Sequence, residues 1–325
     1  MVDIKDFFPS VASRVPNINC LRDKKVLVTG ASGLIGNHII STLMDVEADI
    51  SVLINKTFPH VGRSFTAHSW FSLAQYKFDY IFYLAGYGQP GKFNIDPYTT
   101  IDLNSTKLMS VVKNNLKPDG SILFASTSEV YSGLTVEATE DMVGNTTPEH
   151  KRAPYIESKR CGEAIMHVAN RSGINAKIAR IALAYGPGVR LDDTRVMSDF
   201  IRMALDDGVI KPRGGLNAIR TYCFVSDTVQ MLFNILLNGE QTVYNVGGIT
   251  WMHLYDLVHI VAGVTETSVE LPDNYKEDDA PDFVRMSMGR YNEEFGKMEL
   301  VDFGTGLGKT MGWFEYLKGV KDGNG

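Results

Sequence analysis

Three glycines stand at i, i+3 and i+6 in Gly30-Ala31-Ser32-Gly33-Leu34-Ile35-Gly36, between a short apolar β-branched run (Val26-Leu27-Val28-Thr29) and apolar residues at helical spacing (Leu34, Ile35, Ile39, Ile40, Leu43). A second apolar strand, Ile50 to Ile54, follows directly. Strand, glycine turn, helix and strand within about thirty residues define a βαβ unit. Glycines at this turn let the backbone fold tightly and approach a pyrophosphate, whose charge then rests on the helix N-terminus. In this context the loop is expected to bind a dinucleotide.

The alternation continues. Asp79–Leu84 and Ser121–Ala125 read as buried strands, with a helix over Leu103–Asn114 between them, and a helix over Ile156–Ser172 precedes a strand over Lys177–Leu183. Such alternation predicts an α/β fold, a Rossmann-type doubly wound parallel sheet. After Tyr185-Gly186-Pro187-Gly188 the rhythm breaks into helical stretches (196–206, 227–237, 253–262) between loops rich in Gly, Pro and Asp. The expected organisation is an N-terminal extension over 1–23, a dinucleotide domain over 24–185, and a smaller C-terminal substrate lobe over 186–317. Thr242–Val246 is expected to return to the sheet, and 318–325 to form a tail whose last residues, 321–325, are frayed.

A net charge of −6 argues against a nucleic-acid partner. Three widely spaced cysteines, Cys20, Cys161 and Cys223, form no CxxC pair and predict neither disulfides nor zinc. The seven histidines show no HxxxH spacing, so no metal site is expected. No stretch approaches the ~18 apolar residues of a membrane span, and Met1–Val15 lacks the apolar centre of a signal peptide. A soluble, cytoplasmic protein without a membrane partner is expected.

Several segments carry chemistry. The end of the second strand, where an acidic residue would hold the adenosine ribose, reads Leu53-Ile54-Asn55-Lys56. Asn55 can hydrogen-bond a ribose hydroxyl and Lys56 can meet a 2′-phosphate, which leaves NAD and NADP both open. Gly304-Thr305-Gly306-Leu307-Gly308-Lys309-Thr310 imitates a phosphate loop but has Phe303 where the first glycine belongs, and it lacks a strand-to-helix setting. Tyr155-Ile156-Glu157-Ser158-Lys159 places a phenol and an ammonium on one helix face. The ammonium is expected to favour the phenolate and to hold a ribose, and the phenol to take a hydroxyl proton. Ser126-Thr127-Ser128-Glu129-Val130-Tyr131 closes a strand at the sheet edge where such folds bind ligands.

Taken together, these segments resemble the extended short-chain dehydrogenase/reductase family of nucleotide-sugar enzymes, from about residue 24 to 317. The matching stretches are GASGLIG, STSEVY, YIESK, RIALAYGPG, Arg220–Asp227 and Asn245-Val246-Gly247-Gly248. The resemblance implies that Thr127, Tyr155 and Lys159 are catalytic, with Ser128 and Glu129 beside them. It implies NAD as cofactor, held by Gly30, Ser32, Gly33, Leu34, Ile35, Gly36, Asn55, Leu84, Ala85, Gly86, Ser126, Tyr155 and Lys159. It also implies a homodimer packed through Leu103–Asn114 and the Tyr155 helix.

The resemblance is strongest to UDP-glucuronate decarboxylases, which pair Thr-Ser-Glu with an arginine where Arg220 stands. Members share oxidation of the sugar at C4. A 4-keto uronate is a β-keto acid and loses carbon dioxide without an acid to expel hydroxide, so Ser128 suffices where dehydratases carry Asp. Arg220 is expected to orient the carboxylate, and Glu129 and Arg220 together to manage the C5 side. A 4,6-dehydratase, a 4-epimerase and, from a different class, a non-catalytic dinucleotide sensor are the alternatives. The family often has Asn shortly before Tyr-Gly-Pro, whereas this chain has Ala182-Leu183-Ala184. Arg190, Arg195 and Arg285 are therefore candidates for placing the nucleotide diphosphate.

Overall fold

The computed structural model describes residues 3–55, 57–62, 64–248, 251–271 and 282–322; Lys56 and the final 323–325 lie outside them. In chain order the elements are β1 (Lys25–Thr29), α1 (Leu34–Asp45), β2 (Asp49–Leu53), β3 (Thr66–His68), α2 (Trp70–Leu73), β4 (Phe78–Tyr83), α3 (Pro90–Phe93), α4 (Pro97–Asp102), α5 (Leu108–Asn114), β5 (Leu116–Thr127), α6 (Ala153–Arg171) and β6 (Asn175–Ile181). There follow β7 (Leu183–Tyr185), α7 (Val196–Asp207), β8 (Val209–Ile210), β9 (Ile219–Phe224), α8 (Val225–Asn238), β10 (Val243–Val246), β11 (Trp251–His253), α9 (Leu254–Thr265), β12 (Ser268–Val269), α10 (Gly289–Phe295) and α11 (Phe303–Asp322).

The main sheet has seven strands in the order β10-β6-β5-β4-β1-β2-β3, and its pairs are all parallel. Its strands are continuous apolar runs because both faces are covered, as parallel sheets require. Phe8, Ile39, Ile40, Leu43, Val229, Phe233 and Trp313 join the core on one face, and Leu108, Val111, Val112, Met166 and Ala169 that on the other. The chain leaves β1 toward β2 and β3, then crosses back to β4 on the other side of β1. The loops after β1 and β4 consequently meet at the point where strand order reverses, the usual ligand crevice of such sheets.

The Lys177–Leu183 run is not one strand. It divides at Ala182: β6 stays in the main sheet, while β7 pairs with β9 in a second, three-stranded sheet, β11-β9-β7. Gly304–Thr310 lies inside helix α11, so it forms no phosphate loop. That helix runs on through Asp322, and Lys318 pairs with Asp206. Ile4–Phe7, Ala12–Arg14 and Ile18–Leu21 form three short 3-10 turns laid over the core. Phe8 is 1% exposed, packed edge-on against His38 and Trp313 with ring centroids 5.0 and 5.4 Å away. Among the described residues no helix is long and apolar enough to cross a membrane, and no cluster of His, Cys, Asp or Glu could hold a metal.

Candidate active site

The glycine loop leaves the C-terminal edge of β1 and enters α1. Gly30 has φ +65°, and a Cβ there would stand 2.7 Å from the Leu84 carbonyl oxygen. A side chain at this position would push apart the two loops that border the crevice. No side chain caps α1, so its first-turn N–H groups remain for an anion. The Thr29 hydroxyl accepts from Leu84 N and Ala85 N, at 2.9 and 3.0 Å, and fixes the second loop. A Cβ on Gly86 would lie 3.0 Å from Asn104 Oδ1 and 3.4 Å from Lys159 Nζ. The Asn104 oxygen is buried without a hydrogen-bond partner among the described residues, in a π-helical turn over Leu103–Lys107. Bare backbone, a free helix end and an unsatisfied acceptor in one crevice fit a dinucleotide. At the strand end Asn55 is exposed, and Ser32 accepts from the Thr57 hydroxyl at 2.8 Å.

Helix α6 delivers Tyr155 and Lys159, 7% and 5% exposed, against the end of β5. Lys159 Nζ donates to the Ala125 carbonyl at 2.7 Å and lies 4.7 Å from the Phe124 ring centroid. Burial brings its pKa down to about 7, against an upward pull from Glu163. Burial likewise pushes the Tyr155 phenol up to about 12, and the Glu129 carboxylate adds to the rise. A hydrogen bond from Thr127 and the charges of Arg152 and Arg195 pull the other way. The groups that lower the phenol are thus Thr127, Arg152 and Arg195, not Lys159 as expected, and desolvation outweighs them. Thr127 also accepts from Glu129 N at 3.2 Å, which turns the chain so that Ser128 and Glu129 follow in a tight 3-10 turn.

Glu129 is held by Arg152, whose Nε lies 2.9 Å from Oε2 while its second arm binds Oε1. Phe93, wholly buried on α3, stacks on the Tyr155 ring at 4.7 Å with planes 4° apart. Neither Phe93 nor Arg152 is signalled by any motif in the sequence. Arg152 alone had a cue, since it stands three residues before Tyr155 and so shares its helix face.

Ser126, expected at the cofactor, bonds its hydroxyl to the next helix. Lys159 and Glu163 share the α6 face that rests on β5, and Ser126 Oγ donates to Glu163 Oε1 at 2.6 Å while being 4% exposed. The arginines separate into two groups. Arg195 is bound to buried Asp193 (Nη2–Oδ2 2.7 Å), and its charge acts on both Tyr155 and Tyr222. Arg220, 8% exposed, acts on Tyr222 from within the same lobe. The Tyr222 hydroxyl is buried with no hydrogen-bond partner among the described residues. Together with Arg195, Val196, Met197, Ser198 and Thr310, Tyr222 lines a small cavity. Arg190 instead pairs with exposed Asp192 at 2.8 Å, its charge acting on His60. Arg285 bonds Glu137 at 3.2 Å and lies over the Trp251 ring, 4.9 Å from its centroid.

Comparison with known proteins agrees with this geometry. UDP-glucuronic acid decarboxylase 6 of Arabidopsis thaliana is 31% identical over 261 residues, 76% of either chain. UDP-glucuronic acid decarboxylase 1 of Danio rerio is 24% identical over 329 residues, covering 96% of this chain and 78% of that protein. The fold matches the NAD-bound dTDP-glucose 4,6-dehydratase of Streptomyces venezuelae with a TM-score of 0.79 at 20% identity, over 91% of this chain and 98% of that one. The model of the NAD dependent epimerase/dehydratase family matches residues 26–247, which span β1, the glycine loop, Thr127, Tyr155, Lys159 and the return of β10 to the sheet. The chain belongs to that family, the NAD-dependent enzymes of the extended short-chain dehydrogenase/reductase type.

Proposed function

We propose that this enzyme oxidises a nucleotide sugar at C4 and that its substrate is UDP-glucuronate, which it decarboxylates. The observation that carries this reading is the meeting of Tyr155, Thr127 and the Arg152-held Glu129 at one strand end, with Arg195 beside Tyr155. The named relatives support the choice of substrate. Residues 24–185 serve the cofactor and 186–317 chiefly the nucleotide sugar, with β10 returning to the sheet.

In this reading Gly30–Gly36 and the start of α1 would hold the pyrophosphate of NAD, and Lys159 its ribose. Bound NAD supplies the acceptor for the hydrogen at C4. Tyr155 takes the proton of the C4 hydroxyl while Thr127 hydrogen-bonds the same oxygen. A phenol raised to about 12 is protonated at rest, so it first gives its own proton to solvent; Thr127, Arg152 and Arg195 favour the phenolate, which then accepts the C4 hydroxyl proton. The resulting 4-keto uronate is a β-keto acid, and its carboxylate leaves as carbon dioxide with the electron pair passing toward the C4 carbonyl. Ser128 needs to supply no proton for a leaving hydroxyl. Glu129 and Arg220 flank the C5 side, and Arg195, Arg190 and Arg285 are assigned to the nucleotide diphosphate.

The enzyme is expected to act as a cytoplasmic homodimer. Ile95 and Tyr98 are 83% and 85% exposed beside α4, and Met109 and Val168 add to an apolar face along α5 and α6. The test of function is mass spectrometry of UDP-glucuronate incubated with the pure enzyme and NAD. Loss of one carbon dioxide is expected. An unchanged mass, with loss of water from GDP-mannose or dTDP-glucose, would replace decarboxylation by 4,6-dehydration.

A further inference from the structure

Arg152 occupies the N-cap position of α6, one turn ahead of Tyr155, with its side chain almost entirely buried. Two contacts hold it there. Its guanidinium grips Glu129 with both arms, and its plane lies over Phe93, 4.9 Å from the ring centroid. Phe93 in turn is stacked parallel on Tyr155. The segment carrying Phe93 is anchored separately, because Gln89 at the N-cap of α3 donates to Asp193 at 3.0 Å, the same carboxylate that holds Arg195. Desolvation largely offsets the attraction in a buried ion pair, so such a pair adds little net stability. What the fork supplies is direction: two parallel N–H···O bonds leave the carboxylate one orientation.

We propose that Arg152 is a positioning residue that locks Glu129 and Tyr155 into one rigid set, through its fork on the carboxylate and through Phe93 on the phenol ring. The inference rests on the reading of Tyr155 as the base for C4 oxidation. Lysine in place of arginine would keep the charge but lose both the fork and the flat face, so Arg152→Lys separates geometry from charge. Phe93→Leu removes the ring between Arg152 and Tyr155 while leaving both partners of the ion pair in place.

The experiment measures single turnovers of the NAD-loaded, full-length enzyme with UDP-glucuronate, following C4 oxidation by the nicotinamide absorbance. Calorimetric binding of UDP serves as a check on folding that is independent of catalysis. Both variants should bind UDP as the wild type does, with KM within about threefold. Each should slow C4 oxidation, Arg152→Lys by about 100-fold, the scale on which small misplacement of reacting groups acts. The double variant should be no slower than Arg152→Lys, since both substitutions break one stack. Wild-type oxidation by Arg152→Lys, or multiplicative losses in the double variant, would overturn the proposal. Should Arg152→Lys not fold, an unimpaired Phe93→Leu enzyme would overturn the link to Tyr155. A wild-type enzyme inert toward every nucleotide sugar would overturn the proposed function and this inference with it; an active wild type with an indifferent Arg152→Lys overturns the inference alone.

Discussion

Glu163 on α6 and Arg180 on β6 face each other in a buried fork, Nε–Oε1 2.9 Å and Nη2–Oε2 2.7 Å, directly beneath the strand end that carries Thr127. The same guanidinium donates to Tyr131 Oη and to the Glu140 and Met142 carbonyls, and Tyr131 donates to Asn245 at 2.7 Å. These bonds join β5, β6 and β10 to the following loops. Removing Glu163 would leave Arg180 buried and without its counter-ion. Glu163→Ala should lower stability by about 3–5 kcal/mol in chemical denaturation, whereas an effect below 1 kcal/mol would show the network to be dispensable.

Lys159 is the buried lysine whose state changes near neutrality. Its folded pKa of about 7 lies below the unfolded value of 10.5. Between these values the unfolded chain binds more protons, so stability rises with pH. Its burial therefore destabilises fully below pH 7, and the penalty fades as pH rises toward 10.5. Lys159→Met should be more stable than wild type at pH 6.5, and its advantage should shrink by roughly 1 kcal/mol per pH unit between about pH 7.5 and 9.5. Parallel stability curves for the two proteins would contradict a buried lysine of lowered pKa.

Tyr155→Phe keeps the ring stacked on Phe93 and removes the phenol. Turnover should fall by roughly 10²–10⁴-fold, while calorimetric affinities for NAD and UDP stay within a few-fold. Retained turnover would remove Tyr155 from the role of base.

Gly30→Ala introduces a Cβ 2.7 Å from a backbone carbonyl at a φ of +65°. The left-handed conformation and the crowding should together take about 1–3 kcal/mol from stability, and NAD affinity should fall at least tenfold as the β1 and β4 loops separate. Thermal unfolding with and without NAD measures both.

Tyr98→Glu would place a charge on the most exposed aromatic of the α4–α5 face. Analytical ultracentrifugation should show a dimer for the wild type and a monomer for the variant, with the fold retained.

The βαβ start, the alternation of strands and helices, and the placing of Tyr155 and Lys159 on one helix were legible because each depends on local pattern. Apolar runs, glycine spacing and a four-residue helical interval are written within a few residues of each other. Other features were not legible, for the opposite reason. The break at Ala182 sends β7 to a second sheet because β9, some forty residues later, offers it a partner. Phe93 meets Tyr155, and Asn104 and Lys159 each come up to Gly86, only after the sheet is wound. The bond of the Ser126 hydroxyl to Glu163 likewise joins a strand end to the next helix.

By itself, then, the sequence determined a doubly wound α/β fold, a dinucleotide loop and the chemical types at the strand end, since periodicity and backbone freedom are properties of short segments. Tertiary structure decided how those groups are charged and aimed. Burial, which depends on what packs from distant segments, pushed Tyr155 up and Lys159 down. The fork of Arg152 turned Glu129, and Asp193 turned Arg195. Electrostatics in a desolvated crevice follow from who stands beside whom, and only the folded chain settles that.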